Sequence, residues 1–347
     1  MDVLSNGTDI VNVDHQYGHI SLPGIIVMSV LLSVGAIFNI YTGYVITQTR
    51  INSLLSKLLL YNQTVLDALY CIMMTAFISN RFFEDHFPDD PGSNTFICYL
   101  LQSGYLVRVF RTMIVCNNVC QSADRFWAIV YAHSYRANTK LYVILCSVSV
   151  PVYSILVSAA QMGAVQFVDD DCQHRSVLTY MPSLYVIEIV FRYALPLCTT
   201  ITLTLLALRK LGGLGFWKIV TKSPVTLSED VSLGEERKRA AQINELLIVQ
   251  KTVFCHTGVL LLEMTVLEGI ATTLTVLGET TVVNFEIYSP VRLYYLFLSS
   301  LVSALNPCLT ILTFRNLRMT MFSQLQRIRF WNGHIDCRSR GKDSSTS

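Results

Sequence analysis

Asp124-Arg125-Phe126-Trp127-Ala128-Ile129-Val130 closes one long apolar segment, and another begins at about Leu141. An acid beside an arginine at the end of a greasy run is costly in a low-dielectric setting unless each charge neutralises the other. Ionisable groups at membrane depth therefore mark functional sites by default. Two solvated residues at a helix end would give the same dipeptide, and exposed pairs of that kind contribute little. The surrounding sequence decides between these alternatives.

Of 347 residues, 52% are hydrophobic and only 14% are charged, and the mean hydropathy is +0.45. Soluble domains carry nearer a quarter charged residues, so the composition indicates a membrane protein. The net charge of +2 is too small to suggest nucleic-acid binding. Ten cysteines lie scattered among apolar stretches without a paired CxxC spacing, which argues against a zinc site or a redox dithiol. The first twenty residues contain Asp2, Asp9 and Asp14 but no Lys or Arg, unlike the basic leader of a cleavable signal peptide. A retained amino terminus is expected, with Asn6-Gly7-Thr8 as a glycosylation sequon if that segment is extracellular. Asn62-Gln63-Thr64 matches the same pattern inside an apolar run and is read as chance.

A helix needs about 20 apolar residues to cross a bilayer core. Seven runs meet that length: Leu22 to Gln48, Leu58 to Asn80, Phe96 to Val130, Leu141 to Met162, Pro182 to Leu208, Ala241 to Leu277 and Tyr288 to Phe314. The expected fold is an all-α membrane protein, a seven-transmembrane helix bundle over residues 22–314. An odd number of spans puts the termini on opposite sides, and basic residues mark the cytoplasmic one. Nineteen of the 26 Lys and Arg lie in or beside the segments after spans one, three, five and seven, Arg50, Arg136, Lys140, Arg209 and Arg237 among them. The alternate loops are acidic, with Glu84, Asp85, Asp169, Asp170, Glu279 and Glu286. The amino terminus (1–21) is therefore expected outside and the tail (329–347) inside.

After span seven, Leu317, Met321, Phe322 and Leu325 recur at near-helical spacing among arginines. That pattern predicts a short amphipathic helix over 315–328 in the inner membrane interface. Cys337, in the basic tail, is a palmitoylation candidate or a free thiol. The polar stretch Gly212 to Glu236 reads as a cytoplasmic loop, and no internal repeat is visible.

Several residues in this frame resemble the rhodopsin-like (class A) G-protein-coupled receptors, over nearly the whole chain. Gly35-Ala36-Ile37-Phe38-Asn39 is similar to that family's first-helix motif, and Leu66-Asp67 to its second-helix acid. Asp124-Arg125-Phe126 with Ala128-Ile129-Val130 and Tyr135-Arg136 is similar to the third-helix signature and the loop after it. Pro196, Asn306-Pro307, and Leu317-Arg318 with Phe322 match the fifth-helix proline, the seventh-helix pair and the interfacial helix. The chain departs from the pattern elsewhere. Its tryptophans are Trp127, Trp217 and Trp331, so the usual fourth- and sixth-helix tryptophans are missing. Span six has no proline, Thr310 stands where the family has tyrosine, and Cys98 lies 27 residues before Arg125, two more than usual. The chain thus resembles a divergent member, of invertebrate type.

The resemblance implies a disulfide between Cys98 and Cys172, a heterotrimeric G protein as partner, and localisation at the plasma membrane. It also implies a sodium ion at Asp67 with oxygens from Asn39, Thr112 and Asn306; a protonated Asp67 bonded to Asn306 is the alternative. Arg125 is expected to pair with Asp124 when the receptor is silent and to meet the G protein when it is active. Glu235 or Glu236 is placed to hold the same arginine across the bundle. No other cofactor is implied.

The outer half carries Arg108, Arg111, Arg192 and Arg292 against Glu188, Glu263 and Glu268, charges that normally face a water-filled interior. Glu188 and Arg192 are four apart and able to neutralise each other. Arg108 and Arg111 share a face and repel, so they call for a carboxylate from elsewhere in the chain or from a ligand. In helix three, Tyr105 or Val107 stands where the family's amine receptors have aspartate, which disfavours an amine ligand. Span seven has no lysine for a retinal Schiff base. Acidic outer loops over a mixed-charge interior suit a basic or amphipathic peptide, so the expected function is a neuropeptide receptor in contact with membrane lipids. A chemosensory receptor for a small molecule and a secondary transporter are the alternatives, although paired repeats with broken helices are absent. No nucleophile-base grouping, phosphate loop or HExxH suggests an enzyme.

Overall fold

The protein is described by a computed structural model over residues 22–49, 53–80, 95–168, 171–174, 182–213, 233–280, 282–283, 289–324 and 326. Asn6 and Cys337 lie outside the described residues, as do most of the acidic outer-loop positions. The first helix, α1 (Leu22–Gln48), has no charged residue and coincides with the first predicted span. Helix α2 is Leu54–Asn80. The third predicted span is not continuous. A π-helical turn, Cys98–Gln102, is followed by Gly104 with φ 75° before α3 (Tyr105–Val130) begins. A π turn holds more residues than an α turn, and a left-handed residue resets the chain direction at low cost only for glycine. Together they redirect the chain between the Cys98 turn and α3. The break is sealed by Gln161, whose Nε2 donates to the Ser103 carbonyl at 2.8 Å.

The short helix α4 (Ala132–Ala137) leads into α5 (Thr139–Ser158), which ends in a 3-10 turn over Ala159–Ala164. Two strands follow that the sequence did not announce, β1 (Val165–Val168) and β2 (Asp171–His174). They pair antiparallel with Phe167 opposite Cys172. Cys172 is disulfide-bonded to Cys98, so the hairpin is tied to the turn that heads α3. The predicted fifth span comprises α6 (Pro182–Ile189), a π turn over Val190–Ala194, and α7 (Leu195–Gly213). Helix α8 (Leu233–Glu279) is 47 residues long. It begins at Leu233 rather than Ala241, so the last residues of the predicted loop Gly212 to Glu236 are helical. Finally α9 (Pro290–Thr313) starts with Ser289 accepting the Arg292 backbone N–H and with Pro290 in the first turn. A further helix covers 315–324. Its Leu317 is fully buried against Val45, Ile46, Leu60 and Ile311, while Phe322 is exposed.

Among the described residues, five stretches are long and apolar enough to cross a membrane: Leu22–Gln48, Thr139–Gly163, Val186–Lys210, Cys255–Gly278 and Pro290–Thr313. Helices α2 and α3 have 27 and 26 residues but carry a run of polar side chains on their buried faces. Burial is inverted relative to a water-soluble domain. Asn39, Gln63, Asp67, Thr112, Asn117, Ser122, Asp124, Glu268 and Ser300 are among the most buried residues. Ile26, Val30, Val34, Ile37, Ile144, Val148, Leu205, Leu262 and Leu305 point outward. Lipid solvates that apolar surface, and the polar groups then find partners only inside, which fits a helical multi-pass membrane protein. Helix α3 is central, touching α2, α5, α7 and α8, while α1 packs between α2 and α9.

Where α1 meets α9, Gly35 faces Ala304 so closely that a Cβ on residue 35 would lie 2.3 Å from the Ala304 Cβ. Small residues let the backbones approach, and Asn39 uses that proximity to donate to the Ser303 carbonyl at 3.1 Å. Gly35→Ala should therefore lower the stability of the purified protein by about 1–3 kcal/mol through overpacking. Adding Ala304→Gly should recover most of the lost unfolding temperature. A double variant no more stable than the single one would show that this contact is not what the glycine serves.

Candidate functional site

Helix α3 carries charge at both ends, and each end is neutralised differently. Toward its amino-terminal end, Arg108 and Arg111 are three residues apart on one face, and each draws a carboxylate from another helix. Arg108 Nη1 pairs with Glu188 Oε1 of α6. Arg111 Nε lies 2.8 Å from Glu268 Oε1 and its Nη1 lies 3.4 Å from Glu263 Oε1, both on α8. Arg192, on the π turn, stands between the two tight pairs, 3.8 Å from Glu188 and 3.8 Å from Glu268. Six of the seven predicted outer residues thus form one connected network of three arginines and three glutamates. Arg292 lies beside it, its Nη2 3.9 Å from where a Gly104 Cβ would be. Side-chain exposure falls from 17% at Arg108 and 13% at Glu263 to 1% at Glu268, so the network has two reachable ends and a sealed centre.

The i, i+4 pair of Glu188 and Arg192 is present but loose, because Glu188 is turned toward Arg108. Such buried charges are costly to desolvate and hold only while each partner remains. The arrangement can bind a charged group by adding to these pairs or replacing one of them. It also fastens the outer part of α3 to α6 and α8.

Midway along the bundle, Asp67 is almost fully buried, and its Oδ2 accepts from Asn306 Nδ2 at 2.7 Å and Gln63 Nε2 at 3.2 Å. Gln63 continues the chain of contacts, its Oε1 accepting from Asn117 Nδ2 at 2.8 Å. Asp67 Oδ1, Asn39 Oδ1, Ser303 Oγ and Asn306 Oδ1 are buried and have no hydrogen-bond partner. Unmet buried acceptors of this kind call for an ion or water, so the oxygen donors of Asp67, Asn39 and Asn306 fit a sodium ion. Thr112 is engaged elsewhere: its hydroxyl donates to the Arg108 carbonyl at 2.9 Å and meets Ser158 Oγ at 3.3 Å. Ser303 is the oxygen bearer nearer this group. Pro307 is buried next to Asn306 within α9.

At the carboxyl-terminal end of α3, Asp124 is completely buried and accepts three contacts. Arg125 Nη1 lies 3.0 Å away, Ser56 Oγ donates to Oδ2 at 2.7 Å, and the Tyr135 hydroxyl donates to Oδ1 at 2.6 Å. The Tyr135 proton is thereby spent, so the 2.6 Å contact with Ser53 makes Ser53 the donor. Burial, reinforced by the Asp124 carboxylate, pushes the Tyr135 phenol up to about 12, so it stays a donor throughout the neutral range. Arg125 also donates to Ser56 Oγ at 2.9 Å, but its Nε has no partner. The carboxylate thus has three partners, whereas the arginine keeps one donor unmet. The side chains of Glu235 and Glu236, on the first turn of α8, lie outside the described residues. Thr310 faces buried His256 of α8, Oγ1 to Nε2 3.5 Å, and His256 in turn packs on Phe314.

Sequence reasoning passed over Ser53, Ser56, Gln63 and Ser303. Gln63 was within reach of it, standing four residues before Asp67 and hence on the same helical face. Nothing local marks Ser56, whose partners lie about seventy positions further on.

Glu268 neutralises two arginines from the sealed centre, whereas Glu263 touches one at the rim. Glu268→Gln should therefore destabilise the protein by about 3 kcal/mol or more, and Glu263→Gln by clearly less. Thermal unfolding of the two purified variants checks the order, and equal losses would contradict the network as described. Compared with known proteins, the chain matches no family model and no curated protein.

Proposed function

We propose that the chain is a cell-surface receptor of the rhodopsin-like G-protein-coupled kind. Seven helices, α1, α2, α3, α5, the α6–α7 rod, α8 and α9, would cross the plasma membrane with the amino terminus outside. The ligand, a neuropeptide of basic or amphipathic character, engages the outer charge network. A heterotrimeric G protein is engaged at Arg125. The observation that carries this reading is the inner site. Tyr135 and Ser56 hold the Asp124 carboxylate while Arg125 is left with an unmet donor, so the carboxylate keeps two hydrogen bonds when the arginine leaves.

Two further features support it. Basic residues collect at the ends where Arg125 lies, as expected of a cytoplasmic face. Polar contacts run along one side of α3 from Arg111 through Asn117 to Asp124, against α2 and α8. A sodium ion at Asp67 would supply a counter-charge to the carboxylate and hold α1, α2 and α9 in one arrangement. The protein is then a signalling receptor rather than an enzyme.

Arg125→Ala should abolish ligand-driven nucleotide exchange on a reconstituted G protein while surface expression is kept; full signalling by that variant would end this reading. Ligand accumulation in sealed vesicles without nucleotide exchange would identify a transporter instead. Tyr135→Phe makes Asp124 depend more on Arg125, raising the cost of release by about 1–2 kcal/mol. The expected outcome is a rightward shift of the agonist response with unchanged surface level. Raising sodium should weaken agonist binding, and Asp67→Asn should remove that dependence; radioligand displacement in sodium and in N-methylglucamine tests both.

A further inference from the structure

We propose that the outer network receives a carboxylate from the ligand, and that Arg192 is the group that receives it. This rests on the outer half being the ligand site. Arg192 is only 8% exposed, and its Nε is buried with no hydrogen-bond partner. Both of its acidic contacts stand at 3.8 Å, beyond hydrogen-bonding range. Arg111, by comparison, donates to Glu268 at 2.8 Å, and Arg108 is in tight contact with Glu188. The two carboxylates nearest Arg192 are therefore already committed to other arginines. A guanidinium offers five donors in a planar fork, and leaving one of them, here Nε, unmet in a buried place is expensive.

The glutamates are distributed the same way: Glu188 turns to Arg108, and Glu263 and Glu268 both turn to Arg111, so none of the three is committed to Arg192. The next carboxylate along the bundle, Asp67, is bonded by the amides of Gln63 and Asn306. An incoming ammonium group would have to compete with three arginines for the same glutamates. An incoming carboxylate meets an arginine whose Nε is unmet and whose ion pairs are loose, and a carboxylate can take two parallel N–H bonds from such a fork. Cationic parts of a peptide ligand are then left to the acidic outer loops. The carboxylate is either the free carboxyl terminus of a peptide or that of a small organic acid.

The test uses the purified full-length chain and matched hexapeptide pools, each made as free acid and as carboxyl-terminal amide, together with octanoate and 3-phenylpropionate. Binding is read as a rise in the thermal unfolding midpoint. Free acids should stabilise the chain and the amide pools should not. Arg192→Gln should weaken acid binding by about tenfold or more, with Arg192→Lys intermediate. Glu188→Gln, which withdraws the competing internal carboxylate, should tighten it. Opposite signs for the two neutral variants cannot come from general misfolding. A response to peptide acids alone names a peptide as the source, and one to octanoate or 3-phenylpropionate names a small acid. Equal binding of acids and amides, no stabilisation by any free acid, or an Arg192→Gln chain that binds acids normally would overturn the proposal. Nucleotide exchange on a G protein is measured alongside. Acids that bind without exchange leave this site standing and remove the receptor reading, whereas exchange driven only by amide pools does the reverse.

Discussion

A charged side chain on a lipid-surrounded helix has to be matched from inside the protein, and α3 carries four such charges. The helices around it are positioned by that requirement. Glu188 comes from α6, Glu263 and Glu268 from α8, and Arg192 from a π turn that interrupts the α6–α7 rod. Apolar packing alone would not select this arrangement, because a leucine facing lipid and a leucine facing another helix are nearly equal in free energy. Ion pairs and amide bonds in a dry interior are directional, and they leave few relative orientations open.

The two ends of α3 solve the same problem in different ways. Toward the amino-terminal end, charges are paired across helices, with one arginine held loosely between two occupied glutamates. At the carboxyl-terminal end, a sequence-adjacent pair is pinned by hydroxyl groups from α2 and α4, which satisfy the acid while the Arg125 Nε stays unmet. Between the ends lies a chain of amides and carboxylates, from Asp67 and Asn306 through Gln63 to Asn117. A packed polar seam of this kind is the physical connection that a two-state element would need.

Close backbone approach is the second device. Gly35 against Ala304 lets α1 and α9 come near enough for Asn39 to reach the Ser303 carbonyl. Gly104, in the left-handed region, lets the chain turn from the disulfide-bound π turn into α3. Both glycines act through what they lack. The first admits a neighbouring backbone, and the second adopts a dihedral that a side chain would oppose.

Hydropathy and charge placement along the chain determined that this is a helical membrane protein and where most helices lie. Leu22–Gln48 was readable to the residue, because an uninterrupted apolar run leaves the backbone no option in lipid but its own hydrogen bonds. The candidate charged residues were also readable, since an ionisable group in such a run stands out against its background. What the tertiary structure alone decided was their pairing. Glu188 is sequence-poised for Arg192 but turns to Arg108, and Asp124 rests on Ser56 and Tyr135 as much as on Arg125. The break at Gly104, the β1–β2 hairpin and the start of α8 were likewise hidden. Each depends on contacts between distant segments, and a linear pattern records which residues must be buried, not which partners await them there.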